Sequence, residues 1–292
     1  MNGKTIFGLI ILAAAAALLF WNENRAARTQ RALEESGGVV VSLAPSALSS
    51  AQDGALVHAV GNISTQAQLV DTDLGVARSA LRLTREVEMF QWRRIAGTGD
   101  TQDRYETTWS ADLISSTGFA AGRVNPDSLP FASASWQAEP AVLGTQQLSV
   151  SLLNRLSGLQ PLELTGAELA AIRTALSLEL AEFSDGRLYL PLGFGSPDSP
   201  QIGDVRVRYT WAPTGTYSVV ARKSGQHLEP FVTGSGVTIA MLRSGSVSAS
   251  EMIDAAQSQS SGSANIMRVI GGILAVIGAV VMFRRSRGTP AG

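Results

Sequence analysis

Residues 81–92, with the sequence LRLTREVEMFQW, alternate between two sets of side chains along the whole stretch. Successive side chains of a β-strand point to opposite faces, so this period predicts a strand with one buried face. The face predicted to be buried carries Leu81, Leu83, Arg85, Val87, Met89 and Gln91. The opposite face carries Arg82, Thr84, Glu86, Glu88, Phe90 and Trp92. Because a strand of this length needs neighbouring strands, the stretch decides the fold class.

A second alternating stretch, residues 104–110 (RYETTWS), follows after a glycine-containing linker. The two stretches are predicted to form an antiparallel hairpin. Arg82 and Arg104 are then available as cross-strand charge partners for Glu86 or Glu88.

Further strands and one clearly marked helix are predicted around this hairpin. The other predicted strands are residues 39–43, 56–63, 204–212, 216–225, 227–232 and 237–245. Thr165 and Glu168 form a capping box that opens a helix predicted over 166–181. Together these elements predict an α+β domain rich in antiparallel strands.

Two apolar segments lie near the two ends of the sequence, at residues 6–21 and 269–283. Each is about 15–18 residues long, at the short end of the range needed to cross a ~30 Å hydrocarbon core. The first is interpreted as a signal anchor rather than a cleaved signal peptide, because its alanines run directly into bulky apolar residues. The second is interpreted as a membrane span rather than a core helix, because a basic flank follows it.

The predicted organisation places an extracytoplasmic domain between two transmembrane helices. Its parts are an N-terminal signal anchor at 1–21, a polar connector at 22–36, the α+β domain at 37–257, a linker at 258–265, a transmembrane helix at 266–284 and a cytoplasmic tail at 285–292. Basic residues support both orientations almost equally. Cytoplasmic termini are favoured by Lys4, Arg284, Arg285 and Arg287, and the reverse by Arg25, Arg28, Arg31 and Arg268. The arginine-, alanine- and glycine-rich composition favours a bacterial cytoplasmic membrane.

The second apolar segment carries small residues at Gly271, Ala275 and Ala279. This spacing places them on one helix face, and small residues let helices approach closely in lipid. Ala13 and Ala17 could supply a matching face on the first segment. Helix pairing within one chain and between chains are both open on this pattern.

The composition excludes several classes of function. The chain has no cysteine, which removes disulfides, thiolate nucleophiles and thiolate metal sites. Its two histidines, His58 and His227, are far apart and have no metal-ligand spacing around them. The formal net charge is −1, and no basic–aromatic strip indicates nucleic-acid binding. No cofactor and no metal are predicted, and the lipid bilayer is the first expected partner.

Three features of the sequence are candidates for a catalytic or ligand-binding role. Glu86 and Glu88 lie ~7 Å apart on one strand face, within the range of a glycosidase-like pair, but such pairs are also common as ion-paired surface groups. His58 sits in an apolar strand and is interpreted as a hydrogen-bonded core histidine. Residues 193–203 (GFGSPDSPQIG) are glycine-rich but lack the strand–helix context of a phosphate-binding loop.

Several collinear stretches resemble the transmembrane protein 43 (LUMA) family. They lie between about residues 55 and 255, and VEMFQW at 87–92 is the most specific of them. The residues that carry the resemblance, with a structural or interaction role expected for each, are His58, Arg85, Glu86, Glu88, Met89, Gln91, Trp92, Trp109, Asn125, Pro126, Gly203, Asp204, Arg206, Pro230 and Phe231.

The resemblance implies an amino-terminal span, a large lumenal or extracytoplasmic domain and carboxy-terminal membrane segments. Animal members of the family reside in the endoplasmic reticulum and inner nuclear membrane, where they organise membrane protein complexes and self-associate. Animal members end in several membrane spans, whereas one follows the domain here. The family has no established catalytic residues, so the resemblance carries none over.

The leading hypothesis is therefore a non-enzymatic, membrane-anchored scaffold that forms a homo-oligomer or binds another membrane protein. The runner-up is a membrane-tethered ligand-binding or hydrolytic domain that uses Glu86, Glu88, Tyr105 or His58. A transport or channel subunit is a weaker third hypothesis, because two short spans without intramembrane acidic residues offer no ion path.

Overall fold

The computed structural model describes residues 3–98, 102–178, 181–182 and 186–283. Its helices are α1 Gly3–Val39, α2 Val150–Leu153, α3 Gly166–Leu176 and α4 Ala249–Phe283, with a 3₁₀ helix at Pro45–Ser50. Its strands are β1 Val41–Leu43, β2 Leu56–Ser64, β3 Leu69–Asp71, β4 Val76–Arg78, β5 Ala80–Ile95, β6 Arg104–Ser110, β7 Ala134–Gln137, β8 Val142–Leu143, β9 Gln146–Leu148, β10 Gln160–Pro161, β11 Ala181–Glu182, β12 Leu188–Leu190, β13 Val205–Pro213, β14 Gly215–Ser224, β15 His227–Glu229, β16 Phe231–Val232, β17 Thr238–Ile239 and β18 Met241–Ser244.

The chain divides into two compact units. The first unit is Met1–Val60 with Tyr217–Gly292, and the second is Gly61–Thr216. Both contain antiparallel strands, and the two longest helices lie near the chain ends in the first unit. The prediction of an α+β fold flanked by two apolar terminal helices is confirmed.

The long strand β5 organises the main sheet of the second unit. The strand order is β11, β12, β13, β5 and β6, with β7 beside β5 and β10 beside β13. β5 and β6 form the predicted hairpin, with a register that runs from Met89 opposite Ser110 to Ile95 opposite Arg104. All six side chains predicted on the inner face of β5 are buried. The alternation of residues 81–92 therefore reports the true faces of this strand.

Helix α3 begins at the predicted cap but ends earlier than expected. The Thr165 side chain accepts a hydrogen bond from the Glu168 backbone, and the Glu168 carboxylate accepts one from the Thr165 backbone. The helix stops at Leu176 because Ser177 adopts a left-handed conformation with φ 53°. The predicted extension to residue 181 is wrong, since residues 181–182 form β11. Residues 179–180 of the predicted helix lie outside the described residues.

In the first unit, α1 and α4 pack against each other in antiparallel directions. Gly8 lies against Gly278 at one end of the pair, and Asn22 Nδ2 donates to the Ala264 carbonyl further along. Both helices are long and apolar enough to cross a membrane. Arg284, Arg285, Arg287 and the predicted tail at 285–292 lie outside the described residues.

Both helices continue beyond their apolar segments. Residues 22–36 and 258–265, expected to be a connector and a linker, are helical and belong to α1 and α4. The ends of the helix pair reach the strands of the first unit through a buried apolar cluster of Leu33, Leu56, Val220, Ile239, Met252 and Ile253. In this unit β1 runs parallel to β2, while β14 pairs antiparallel with β15 and β18, and β16 with β17.

Candidate functional site

The carboxylate of Glu88 in β5 is paired with Arg206 in β13. Arg206 Nε donates to Glu88 Oε2 at 2.7 Å, and the two residues stand opposite each other in the strand register. The guanidinium carbon of Arg206 also lies 4.7 Å from the ring centroid of Trp109 in β6, a distance at which cation and ring attract. The exposed Glu86 stands opposite Arg208 in the same register. The two glutamates thus face the arginines of β13.

The predicted partners of these glutamates, Arg82 and Arg104, lie elsewhere, and that prediction was wrong. Arg82 Nη2 donates to Gln137 Oε1 at 2.9 Å and to Asn154 Oδ1 at 2.8 Å. Arg104 stands opposite Ile95 at the far end of the hairpin. The reason is that β6 pairs only with the second half of β5, beyond both glutamates.

Arg85, on the inner face of β5, is 2% exposed and lies in a buried charge network. Its Nη1 donates to Asp71 Oδ1 at 2.5 Å, its Nη2 donates to Asp73 Oδ2 at 2.7 Å, and Nε and Nη2 donate to the Ala132 carbonyl. The Tyr209 hydroxyl donates to Asp71 Oδ2. Burial raises the pKa of the Tyr209 phenol, and the hydrogen bond to Asp71 raises it further. Burial opposes the charge on Arg85, but the hydrogen bond that Arg85 donates to Asp73 and the charge of Asp71 outweigh it and raise the Arg85 pKa.

Asp204, at the start of β13, is fully buried and holds the loop that precedes it. Its Oδ1 accepts hydrogen bonds from the backbone of Gly193 at 2.7 Å and Gly195 at 3.3 Å. Its Oδ2 accepts from the backbone of Gln201 at 2.6 Å and from the Tyr189 hydroxyl. Burial and the ionised Asp204 both raise the pKa of the Tyr189 phenol. The carboxylate therefore has four protein donors and anchors the loop.

The two glycines of this loop are required by close backbone approach. A Cβ atom on Gly193 would overlap the Ile202 carbonyl, and one on Gly195 would overlap the Asp204 carboxylate. The amides of a glycine-rich loop can bind phosphate. Here the Gly193 and Gly195 amides point at the chain's own carboxylate, which agrees with the interpretation from sequence that this is not a phosphate loop.

Phe194, between these glycines, is 95% exposed and has a left-handed backbone with φ 67°. Exposing a phenylalanine forfeits about 1.5–3 kcal/mol of hydrophobic stabilisation, and the left-handed backbone costs a further ~1–2 kcal/mol. The Asp204 hydrogen bonds maintain this conformation. Val124, 70% exposed, lies two residues before Pro126, which approaches the same turn. The loop thus presents one exposed aromatic side chain on a backbone held by hydrogen bonds.

Asn125 and Gln91 connect β5 to the segment that follows β6. Asn125 Oδ1 accepts from the Trp92 backbone at 2.7 Å, and its Nδ2 donates to the carbonyls of Trp92 and Ile114. Gln91 Nε2 donates to the Asp112 carbonyl, and its Oε1 accepts from the Ile114 backbone. Both amides therefore act on the chain's own backbone.

The remaining motif residues of the second unit lie close to these. The Gly203 backbone donates to the Phe90 carbonyl at 3.0 Å, and Pro126 Cγ lies 3.5 Å from the position of a Cβ on Gly203. The ring centroids of Phe90 and Trp109 lie 5.2 Å apart. Met89, which precedes Phe90 in the strand, is buried. The structure thus brings most motif residues together around the second half of β5. We call this group the β5 cluster, defined by residues 88–92, 109, 125–126, 189 and 193–206.

His58, Pro230 and Phe231 lie in the first unit. His58 is buried, with Nδ1 3.0 Å from Ser42 Oγ and Nε2 3.0 Å from the Val247 carbonyl. A carbonyl accepts only, so Nε2 carries the proton and Nδ1 accepts from the hydroxyl. Phe231 packs against the apolar cluster between helices and strands. His58 is thus a hydrogen-bonded core residue, as interpreted from sequence.

The small residues of α4 contact α1 unequally. Gly271 is buried, and a Cβ added there would lie 2.5 Å from Leu19 Cδ2. Ala275 and Ala279 are only half-buried. The second close approach is instead at Gly278, seven residues after Gly271, where an added Cβ would lie 3.0 Å from Leu12. The contact is within one chain and recurs every seven residues, the spacing of paired helices.

The residues proposed for a hydrolytic site are engaged in separate places. Glu88 binds Arg206, and the Tyr105 hydroxyl accepts from the Ala120 backbone at 3.1 Å. His58 belongs to the first unit, where both ring nitrogens are hydrogen-bonded. Within the described ranges no group of three or more His, Cys, Asp or Glu could hold a metal ion.

Sequence reasoning missed Asp71, Tyr209 and Phe194. The first two were indicated indirectly, because an arginine on the buried face of β5 requires a buried acceptor. Phe194 had a weaker signal, an aromatic between two glycines. Asp204 holds the backbone on both sides of Phe194. The sequence alone does not show that the Asp204 carboxylate points into this loop.

Comparison with known proteins gives one consistent result. The model of the transmembrane protein 43 family matches residues 89–287. The chain is 28% identical to transmembrane protein 43 of Rattus norvegicus over 97% of its own length and 74% of the rat protein. It is 29% identical to the Homo sapiens protein, over 86% of the chain and 66% of that protein, and 27% identical to the Drosophila melanogaster homolog, over 85% and 68%. No solved structure matches the chain.

Proposed function

Because the chain belongs to the transmembrane protein 43 family, we propose that it is a non-enzymatic, membrane-anchored scaffold that organises membrane protein complexes. The two apolar helices hold it in the bilayer. In this proposal the second unit binds a protein partner, either another copy of the chain or a different membrane protein.

The observation that carries the proposal is Phe194 on its fixed loop. Within the β5 cluster, Asp204, Asn125 and Gln91 bind the chain's own backbone, and the Glu88 carboxylate is paired with Arg206. These polar groups therefore stabilise a surface rather than face a substrate. At Asp204 the hydrogen bonds hold the backbone on both sides of Phe194, whose side chain is 95% exposed. Exposed aromatic side chains on a backbone that is ordered before binding are typical anchors of protein interfaces.

A photocrosslinking amino acid tests this contact in native membranes. Replacing Phe194 with p-benzoylphenylalanine keeps an aromatic ring at the site and captures whatever protein touches it. We expect a covalent adduct at this position, with twice the monomer mass for self-association or another mass for a different partner. The matched control is the same substitution at Val150, 48% exposed in the same unit. A monomer band alone at position 194, or equal adducts at both positions, contradicts the proposal.

We further propose a bacterial cytoplasmic membrane with residues 37–257 on the extracytoplasmic side. The antiparallel helix pair supports a common side for the residues between the spans, because both helices then cross the same bilayer. The cysteine-free sequence allows a direct test. A cysteine at Val150 should react in intact cells with a membrane-impermeant maleimide, and one at Asn2 should react only after lysis. The opposite pattern contradicts this orientation.

A further inference from the structure

A groove of about 250 Å³ lies between α1 and α4, just outside the apolar segments. Its lining residues are Glu23, Ala26, Ala27 and Gln30 of α1 and Ser260, Ser261, Ala264 and Arg268 of α4. Five of these eight side chains are those of alanine or serine. The groove therefore exists because the helices have little to fill the space between them at this level.

The charged end of the groove lies at the depth of lipid headgroups. At this end of the helix pair, the apolar segment of α1 ends at Trp21 and that of α4 begins at Val269. With a rise of about 1.5 Å per residue, Glu23 lies about 3 Å along the helix axis beyond Trp21. Arg268 lies about 1.5 Å beyond Val269. The headgroup layer is about 5–8 Å thick on each side of a bilayer. Both charges thus stand within it.

Glu23 and Arg268 keep capacity for a ligand. Arg268 donates from Nε to Glu23 Oε1 at 2.5 Å, from Nη2 to Glu23 Oε2 at 2.8 Å and from Nη1 to Asn265 Oδ1 at 2.5 Å. A guanidinium has five N–H donors, so two remain for a phosphate oxygen. The Arg268 side chain is 47% exposed and the Glu23 side chain 52% exposed. The carboxylate oxygens of Glu23 can therefore also accept hydrogen bonds from a cation. A phosphate and an ammonium group side by side complement this pair.

We propose that this groove binds phosphatidylethanolamine, with its phosphate on Arg268 and its ammonium on Glu23. This assignment does not depend on the scaffold proposal, because it concerns the first unit and lipid alone.

The test uses the full chain in phosphatidylcholine vesicles that contain equal mole fractions of one photoreactive lipid at a time. Phosphatidylethanolamine, phosphatidylcholine and phosphatidylglycerol, each with a diazirine near the glycerol, are compared, and labelled residues are identified by mass spectrometry. We expect phosphatidylethanolamine to label residues 16–27 and 261–275 roughly threefold more than the other two, since an exposed ion pair contributes up to about 1 kcal/mol.

Ser261→Leu fills the groove without touching the ion pair, and we expect it to abolish this preference. Ser263→Leu makes the same change two residues away, at an exposed position outside the groove, and should leave the preference unchanged. Equal labelling by all three lipids, or stronger labelling by phosphatidylglycerol, overturns the proposal. So does a Ser261→Leu variant that loses crosslinks between copies of the chain but keeps the lipid pattern, because the occupant would then be a helix.

Discussion

At the scale of single residues, buried carboxylates hold backbone in the second unit. Asp204 accepts from three backbone amides and from Tyr189. Asp204→Asn keeps the size of the side chain but replaces one acceptor by a donor that faces other donors. Because unpaired buried donors cost about 1–3 kcal/mol each, we expect a loss of about 3 kcal/mol, measured as a shift of the denaturant midpoint of the full chain in detergent.

Tyr189→Phe is the milder control for this prediction. It removes a single donor and leaves the three backbone bonds, so we expect a loss of about 1 kcal/mol. Fluorescence of Trp109, whose ring lies 6.3 Å from that of Tyr189, reports on the same region. An Asp204→Asn variant as stable as the parent would mean that the carboxylate does not organise the loop.

The glycines around Phe194 give a second prediction at this scale. Gly193→Ala places a Cβ on the Ile202 carbonyl, where only backbone can give way. We expect a loss of about 2 kcal/mol or more, in the range of overpacking. Gly166→Ala is the matched control, since no heavy atom lies within 4 Å of its Cβ position and alanine favours helix α3. Equal midpoints for both variants would contradict the close approach seen at Gly193.

At the scale of elements, the ion pair between Arg78 and Glu168 joins strand β4 to helix α3. Arg78 and then the Thr165 cap lower the pKa of Glu168 from 4.5 to about 2. Folding favours the charged form, so its contribution is complete above the ordinary pKa and disappears as the pH falls toward 2. At 1.36 kcal/mol per unit, the contribution is at most about 3 kcal/mol for this pair, whose side chains are 18% and 20% exposed.

Glu168→Gln should therefore lower the free energy of unfolding near neutral pH. As the pH falls from 4.5 toward 2, the stability of the variant should approach that of the parent. Denaturation midpoints across the acid range measure the difference. Glu163→Gln, at an exposed position five residues earlier in the sequence, should follow the parent throughout. A constant penalty for Glu168→Gln at every pH would attribute the effect to the helix cap rather than to charge.

The elements also show what the sequence could predict. The faces of β5 were predictable because side-chain alternation is local. The partner of Glu88 was not, because β13 joins β5 from 118 residues away in the chain. Residues 258–265 read as a polar linker, yet they are helical because α1 supplies a packing surface along them. The β5 cluster was recognisable as a group of motif residues, but their roles depend on which backbone each side chain reaches.

At the scale of the whole molecule, the pairing of α1 with α4 decides how the chain occupies a bilayer. The sequence left pairing within a chain and between chains open. The close approaches at Gly8, Gly271 and Gly278 belong to one chain, and they occupy the tightest face of α4. Self-association in the membrane would then use other faces of the helix pair or the folded units.

The cysteine-free background allows this pairing to be tested directly. Leu19→Cys with Gly271→Cys introduces two thiols at a contact where the glycine leaves no room for more than a small side chain. In vesicles, oxidation should give a chain of monomer mass that has lost two hydrogens. Leu19→Cys with Gly272→Cys is the control, because position 272 faces open space, and it should remain reduced or react slowly. Dimers of twice the mass from the first pair would contradict pairing within the chain, because a thiol held against its own partner helix at van der Waals distance reacts there before it meets another molecule.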